Sequence, residues 1–166
     1  MHHLIAKIVK TLKEKNLILT TVESCTGGGL ANEITNIPGA SEVFREGFVT
    51  YSNSAKIRLG VSPNIINTHT VYSTATAIAM AKSGLSATEN TAQIGVGITG
   101  VLSREDPANP EGRLGDVYIA VVKGDFTYTR YLQLSQPNRI QAKEQAIRIA
   151  LEMILDACAE EPSYNN

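Results

Sequence analysis

Residues 20–30, Thr-Thr-Val-Glu-Ser-Cys-Thr-Gly-Gly-Gly-Leu, follow a short apolar run and lead into a helical pattern. A strand that turns directly into a helix through glycines restricts the chain to an α/β arrangement and puts polar side chains at a helix start. Backbone N–H groups there carry partial positive charge and can hold an anion or stabilise one that forms in a reaction. Ser24, Cys25 and Thr26 set three candidate nucleophiles beside that charge. Glycine, lacking Cβ, lets the backbone turn tightly and a ligand approach closely. The same turn also serves as a packing device in α/β proteins, so its role depends on what the rest of the chain brings to it.

Hydrophobic periodicity predicts the remaining elements. Leu4, Ile5, Ile8, Val9 and Leu12 recur at helical spacing among lysines, which predicts an amphipathic helix ending near Asn16. Residues 17–22 read as a buried strand, residues 27–35 as a helix, and residues 43–51 as a second strand bent at Gly47. Ser52 or Asn53 caps a short helix that carries Lys56 and stops at Gly60 and Pro63. Ser73 caps a helix running through Leu85. Residues 92–100 form a glycine-rich strand to which another backbone or a ligand comes close, and residues 101–114 form a long irregular loop. Residues 117–122 and 128–134 pair as a hairpin across Lys123-Gly124-Asp125. The last helix presents Ile140, Ala146, Ile147, Ala150, Leu151, Ile154 and Leu155 as one apolar face, and residues 160–166 read as a frayed polar tail. This order implies a three-layer α/β/α sandwich with a mixed central sheet, one domain over residues 1–166.

Composition removes several classes of function. A formal net charge of -1 with both signs interspersed gives no basic stripe for nucleic acid. Cys25 and Cys158 lie at opposite ends of the chain, outside any Cys-x-x-Cys or zinc-type cluster, and read as reduced thiols of a cytoplasmic protein with no metal and no cofactor. Lysines interrupt the apolar residues of the N-terminal segment, so it reads neither as a signal peptide nor as a membrane span. The hairpin leaves an edge strand that a second copy can cover, which favours a homo-oligomer.

Three segments, residues 24–29, 51–56 and 97–100, fall at one end of such a sheet, where sites in open α/β folds gather. Serine attacks an amide carbon only if a base removes its proton. His2 and His3 are terminal and His69 falls in a predicted loop, which leaves a Ser-His-Asp triad without a firmly held base. Lys56 is the better partner for Ser24, since a lysine in a partly dry site loses its proton near neutral pH. Cys25, without a histidine partner, reads as a small buried hydrophobe, and Glu23 as a residue that caps or orients the turn.

The blocks Glu23-Ser24-Cys25-Thr26-Gly27-Gly28 and Gly47-Phe48-Val49-Thr50-Tyr51-Ser52-Asn53-Ser54-Ala55-Lys56, with their separation, closely resemble the CinA C-terminal domain family. Ile37-Pro38-Gly39-Ala40-Ser41, Leu59-Gly60-Val61 and Gly97-Ile98-Thr99-Gly100 extend the likeness over essentially the whole chain. The resemblance implies a stand-alone nicotinamide-nucleotide amidase, which hydrolyses nicotinamide mononucleotide to nicotinic acid mononucleotide and ammonia. It implies Ser24 as nucleophile, Lys56 as general base, and Tyr51 beside them, hydrogen-bonding Lys56 or the substrate. Thr26, Gly27 and Gly28 then supply donors to an oxyanion or phosphate, Thr99 and Gly100 line the opposite wall, and Arg139 belongs to the substrate site.

The chain departs from the family's pattern at two places. Many amidases follow the position of Gly100 with a Gly-Pro-x-Gly-Gly run, which residues 101–112 replace with a sequence containing Arg104, Glu105, Asp106 and Pro107. Where two arginines often stand four positions apart, this chain has Arg139 and Lys143, and lysine lacks the bidentate geometry of arginine. Arg104 and Arg113 are further candidates for a phosphate. Both departures concern substrate binding, so two alternatives stay open: a nucleotide-binding module without catalysis, and a serine amidase for another carboxamide.

Overall fold

The computed structural model of the protein describes residues 1–135 and 138–159. Its elements are α1 (His2–Glu14), β1 (Leu19–Glu23), α2 (Gly29–Thr35), β2 (Phe44–Val49), α3 (Asn53–Leu59), α4 (Pro63–His69), α5 (Thr74–Ala87), β3 (Ile94–Gly100), β4 (Asp116–Lys123), β5 (Phe126–Gln133) and α6 (Arg139–Ala159). The sheet order is β2-β1-β3-β4-β5. β1 pairs in parallel with both β2 and β3, whereas β3, β4 and β5 are antiparallel, so the sheet is mixed as expected.

Strand alternation divides the two faces. Leu19, Ile94, Val96, Ile98, Val117, Ile119 and Val121 join the apolar stripes of α1, α2 and α6 in the larger core. The opposite face, with Val22, meets Met80 of α5 and Val61 in a smaller cluster beside Leu59 and Ile66. The β3 glycines are explained by packing rather than by a ligand: a Cβ on Gly97 would strike the carbonyl of Ala77, and one on Gly95 the carbonyl of Ala81. Helix α5 therefore lies directly against the strand, which brings α3 and α4 close to the end of β1.

Several expectations need correction. Residues 63–69 form α4, with Pro63 in its first turn, so His69 closes a helix rather than sitting in a loop. Pro63 starts a helix as well as following the end of one, because its missing N–H and fixed φ suit the first helical position. Ile140 is 69% exposed and is not part of the apolar face of α6; Ala142, Met153, Ala157 and Cys158 are buried there instead. The register between β1 and β2 shifts just before Gly47, which agrees with the expected bend. The tail expected at residues 160–166 lies outside the described residues. Among the described residues no helix is long and apolar enough to cross a membrane.

Candidate active site

The parallel ladder runs one residue past each strand. Ser24 N–H donates to the Ile98 carbonyl at 3.0 Å, and Thr50 N–H donates to the Glu23 carbonyl at 2.8 Å. Ser24 and Thr50 are thus held by main chain at the carboxyl ends of adjacent strands, where an open α/β sheet places its sites.

Glu23 and Ser24 serve opposite sides of this edge. The Glu23 side chain, 1% exposed, accepts from Gly28 N–H at 3.1 Å and Leu30 N–H at 3.0 Å through Oε2, and from Ala31 N–H at 2.9 Å through Oε1. Gly27 N–H donates to the Ser24 carbonyl at 3.0 Å. One carboxylate therefore satisfies the orphan donors that begin α2 and opposes the charge there. The donors expected from Gly27 and Gly28 are already engaged, so these glycines shape the turn, each with a positive φ, rather than bind a ligand through N–H. Cys25 and Thr26 are the two residues of the turn whose N–H groups meet no acceptor outside their own residue among the described residues.

Lys56 reaches Ser24 from the other side. Ser52 caps α3 by accepting from Ala55 N–H at 3.1 Å, and one turn into that helix Lys56 points inward, 1% exposed. Its Nζ lies 3.0 Å from Ser24 Oγ and 2.9 Å from the Thr50 carbonyl oxygen. Burial, partly opposed by Cys25 and the Asp106 carboxylate, lowers the Lys56 ammonium from 10.5 to about 8. A buried amine is harder to protonate because the low-dielectric surroundings disfavour its charge. The neighbouring Cys25 thiol is pushed up to about 12, chiefly by burial, so it stays protonated and is no rival nucleophile at neutral pH.

Ser24 and Lys56 open onto a cavity of about 680 Å³ whose walls include Tyr51, Tyr72, Arg139 and the loop from Val101 to Asn109. Tyr51 is 63% exposed at the mouth, and its hydroxyl accepts from Arg139 Nη2 at 2.8 Å. The phenol thus holds an arginine, while Lys56 is engaged by Ser24 and Thr50. Gly100 lines the cavity, but a Cβ there would strike the Asp116 carbonyl, so the lack of a side chain serves the pairing with β4. Thr99 is not a wall residue: it is fully buried and donates through Oγ1 to the Val71 carbonyl at 3.0 Å. Thr26 is also fully buried and away from the cavity lining. Arg104 lines the cavity and Arg113 does not; Lys143 Nζ instead sits over Gly27. Tyr72 and Asn109 line the cavity without having been singled out in the sequence, and so do Asn53, read there only as a candidate cap, and Asp106, read only as a charge of the irregular loop.

Residues 1–158 match the CinA C-terminal domain. The chain belongs to the CinA C-terminal domain family. This CinA domain is 40% identical to a putative competence-damage inducible protein of Clostridium beijerinckii, over 89% of the chain and 35% of that protein. It is 37% identical to a CinA-like protein of Kosmotoga olearia, again over 89% of the chain and 35% of the relative. The chain therefore spans about a third of the length of these curated relatives. Among solved structures it resembles competence/damage inducible protein CihA from Agrobacterium tumefaciens, with a TM-score of 0.84 and 31% identity over 96% of this chain and 95% of that one. Competence damage-inducible protein A from Klebsiella pneumoniae gives a TM-score of 0.85 at 27% identity over 97% and 98% of the two chains. The mixed α/β/α sandwich is accordingly the fold of the CinA superfamily.

Proposed function

We propose that this CinA domain is a serine amidohydrolase that converts nicotinamide mononucleotide to nicotinic acid mononucleotide and ammonia. The observation that carries the reading is the buried 3.0 Å contact between Lys56 Nζ and Ser24 Oγ. With its ammonium lowered to about 8, roughly one Lys56 in ten is neutral at pH 7. The neutral amine keeps one N–H on the Thr50 carbonyl and turns its lone pair to the Ser24 hydroxyl.

Lys56 takes the Ser24 proton as Oγ bonds to the carboxamide carbon, forming a tetrahedral oxyanion. In the turn, the N–H group of Cys25, a residue of the cavity lining, is the donor left for that oxygen, since Glu23 and the Ser24 carbonyl occupy those of Gly28 and Gly27 and Thr26 lies away from the cavity. Lys56 returns the proton to the departing nitrogen, the C–N bond breaks and ammonia leaves an ester on Ser24. Water then attacks that ester, Lys56 accepts the water's proton and passes it to Ser24 Oγ, and the acid is released. Arg139 at the mouth, held by Tyr51, supplies positive charge for the nucleotide phosphate, with Arg104 a second cation in the cavity lining.

The test is ammonia release from nicotinamide mononucleotide by the purified chain. Ser24→Ala and Lys56→Ala are each expected to lose about a thousand-fold or more in kcat. Full activity in Ser24→Ala overturns the mechanism. Tight nucleotide binding without turnover in the wild type supports a binding module instead, and turnover of other carboxamides alone supports a different amidase.

A further inference from the structure

The loop from residue 101 to 115 contains an ordered polar network that the dyad chemistry does not use. The Tyr72 hydroxyl donates to Asp106 Oδ2 at 2.6 Å, and Asn109 Nδ2 donates to the same oxygen at 2.6 Å. Ala108 N–H donates to Asp106 Oδ1 at 3.0 Å. Asn109 presents its other amide atom, Oδ1, to Asn53 Nδ2 at 2.7 Å. Asn109 is 8% exposed, unusual for an asparagine on an irregular loop, and both ends of its amide are engaged. Gly112 leaves room for Tyr72 and Val101, since a Cβ there would strike both side chains. The network therefore ties the loop at two points, to the segment preceding α5 through Tyr72 and to the first residue of α3 through Asn53.

We propose that Asp106 and Asn109 are positioning residues that clamp this loop against Tyr72 and Asn53, making it a fixed wall of the Ser24 pocket that sets which nucleotide enters. The proposal rests on the amidase reading for the identity of the ligand, and not for the clamp itself. The clamp acts on the wall because Lys56 has its own anchors, Ser24 and the Thr50 carbonyl, neither of which belongs to the loop. Residues 104–109 all line the cavity, so releasing Asn109 frees a whole side of it. The clamp holds across the neutral range: the Tyr72 phenol is pushed above its ordinary value by burial and by Asp106, and donors from Tyr72 and Asn109 hold Asp106 below the usual carboxylate range. Tyr72 thus stays a donor and Asp106 a charged acceptor.

The test compares the full chain with Asn109→Ala, Asn53→Ala and the double variant. Alanine is well tolerated in a first helical turn, so Asn53→Ala remains informative if Asn109→Ala misfolds. Amide hydrogen exchange is expected to rise about tenfold at residues 104–110 in Asn53→Ala and by more in Asn109→Ala, which also loses its bond to Asp106, while the double variant matches Asn109→Ala because Asn53 acts on the loop only through Asn109. On a Ser24→Ala background, calorimetric affinity for nicotinamide mononucleotide is expected to fall about tenfold. In the active background KM rises while kcat and the pH profile hold. Loop exchange at the wild-type rate overturns the proposal, as does a loss of kcat with KM unchanged. If the unaltered chain neither binds nor hydrolyses the nucleotide, the amidase reading fails while loop exchange still decides the clamp; where the nucleotide does bind, faster exchange without any change in affinity overturns the wall's selective role.

Discussion

The Thr50 carbonyl accepts from Lys56 Nζ at 2.9 Å, on the same amine that meets Ser24 Oγ. This acceptor orients the amine without donating to it, so deprotonation leaves the lone pair free for Ser24. Lys56 is lowered to about 8, chiefly by burial. In the proposed mechanism Lys56 acts as base only when neutral, so kcat/KM for ammonia release is expected to rise tenfold per pH unit below about 8 and level off above it. A pH-rate profile measured from pH 6 to 10 checks this, and a flat profile through pH 8 contradicts Lys56 as the base.

The same lowering links Lys56 to stability. Because its folded value lies below its unfolded one, the unfolded chain binds more protons between about 8 and 10.5, and stability rises with pH across that window. The burden of the buried ammonium is fully present below pH 8 and disappears as pH rises to 10.5. Relative to Lys56→Met, the wild type is expected to gain roughly 3 kcal/mol between pH 7 and pH 10.5. Urea denaturation of both proteins at the two pH values measures the difference.

Glu23 supports the turn that presents Ser24. Removing its carboxylate in Glu23→Ala leaves the N–H groups of Gly28, Leu30 and Ala31 without their acceptor. A loss of about 2–3 kcal/mol in unfolding free energy is expected, together with reduced kcat as the turn loosens. Glu23→Gln keeps an acceptor oxygen and is expected to lose less. Chemical denaturation distinguishes the two variants, and equal stability of Glu23→Ala and wild type argues against the cap.

The parts of the site that follow from strand ends were legible in the sequence. Ser24 and Lys56 stand just beyond or shortly after predicted strands, and the scarcity of placed histidines pointed to the lysine. Thr99 was misplaced although its strand carried the information: it lies two residues from Gly97, so alternation puts it on the α5 side, where it bonds Val71. Glu23 was legible as a residue that caps or orients the turn, and it does so from the preceding strand, five residues before Gly28; what the sequence did not show is that this carboxylate takes up the Gly28 donor expected to face a ligand. The contact between Asn53 and Asn109 joins residues 56 positions apart through an irregular loop. Such a loop has no periodicity to reveal a partner. Ile140 shows the same limit at a helix end, where a regular apolar spacing extends past the part of α6 that the sheet covers.

Under the proposed amidase function, Arg139 offers a way to separate recognition of the phosphate from chemistry at the carboxamide. Its guanidinium is held at the cavity mouth by the Tyr51 hydroxyl at 2.8 Å, away from the Lys56 amine bonded to Ser24. Arg139→Ala is therefore expected to raise KM for nicotinamide mononucleotide about tenfold or more, as loss of a charge-assisted contact implies. Tyr51→Phe removes only the anchor and is expected to raise KM less, with the pH profile unchanged. Nicotinamide riboside, which lacks the phosphate, provides the control: its turnover by wild type and Arg139→Ala should be alike. A fall in kcat for both substrates in Arg139→Ala would instead place the arginine in the chemistry itself.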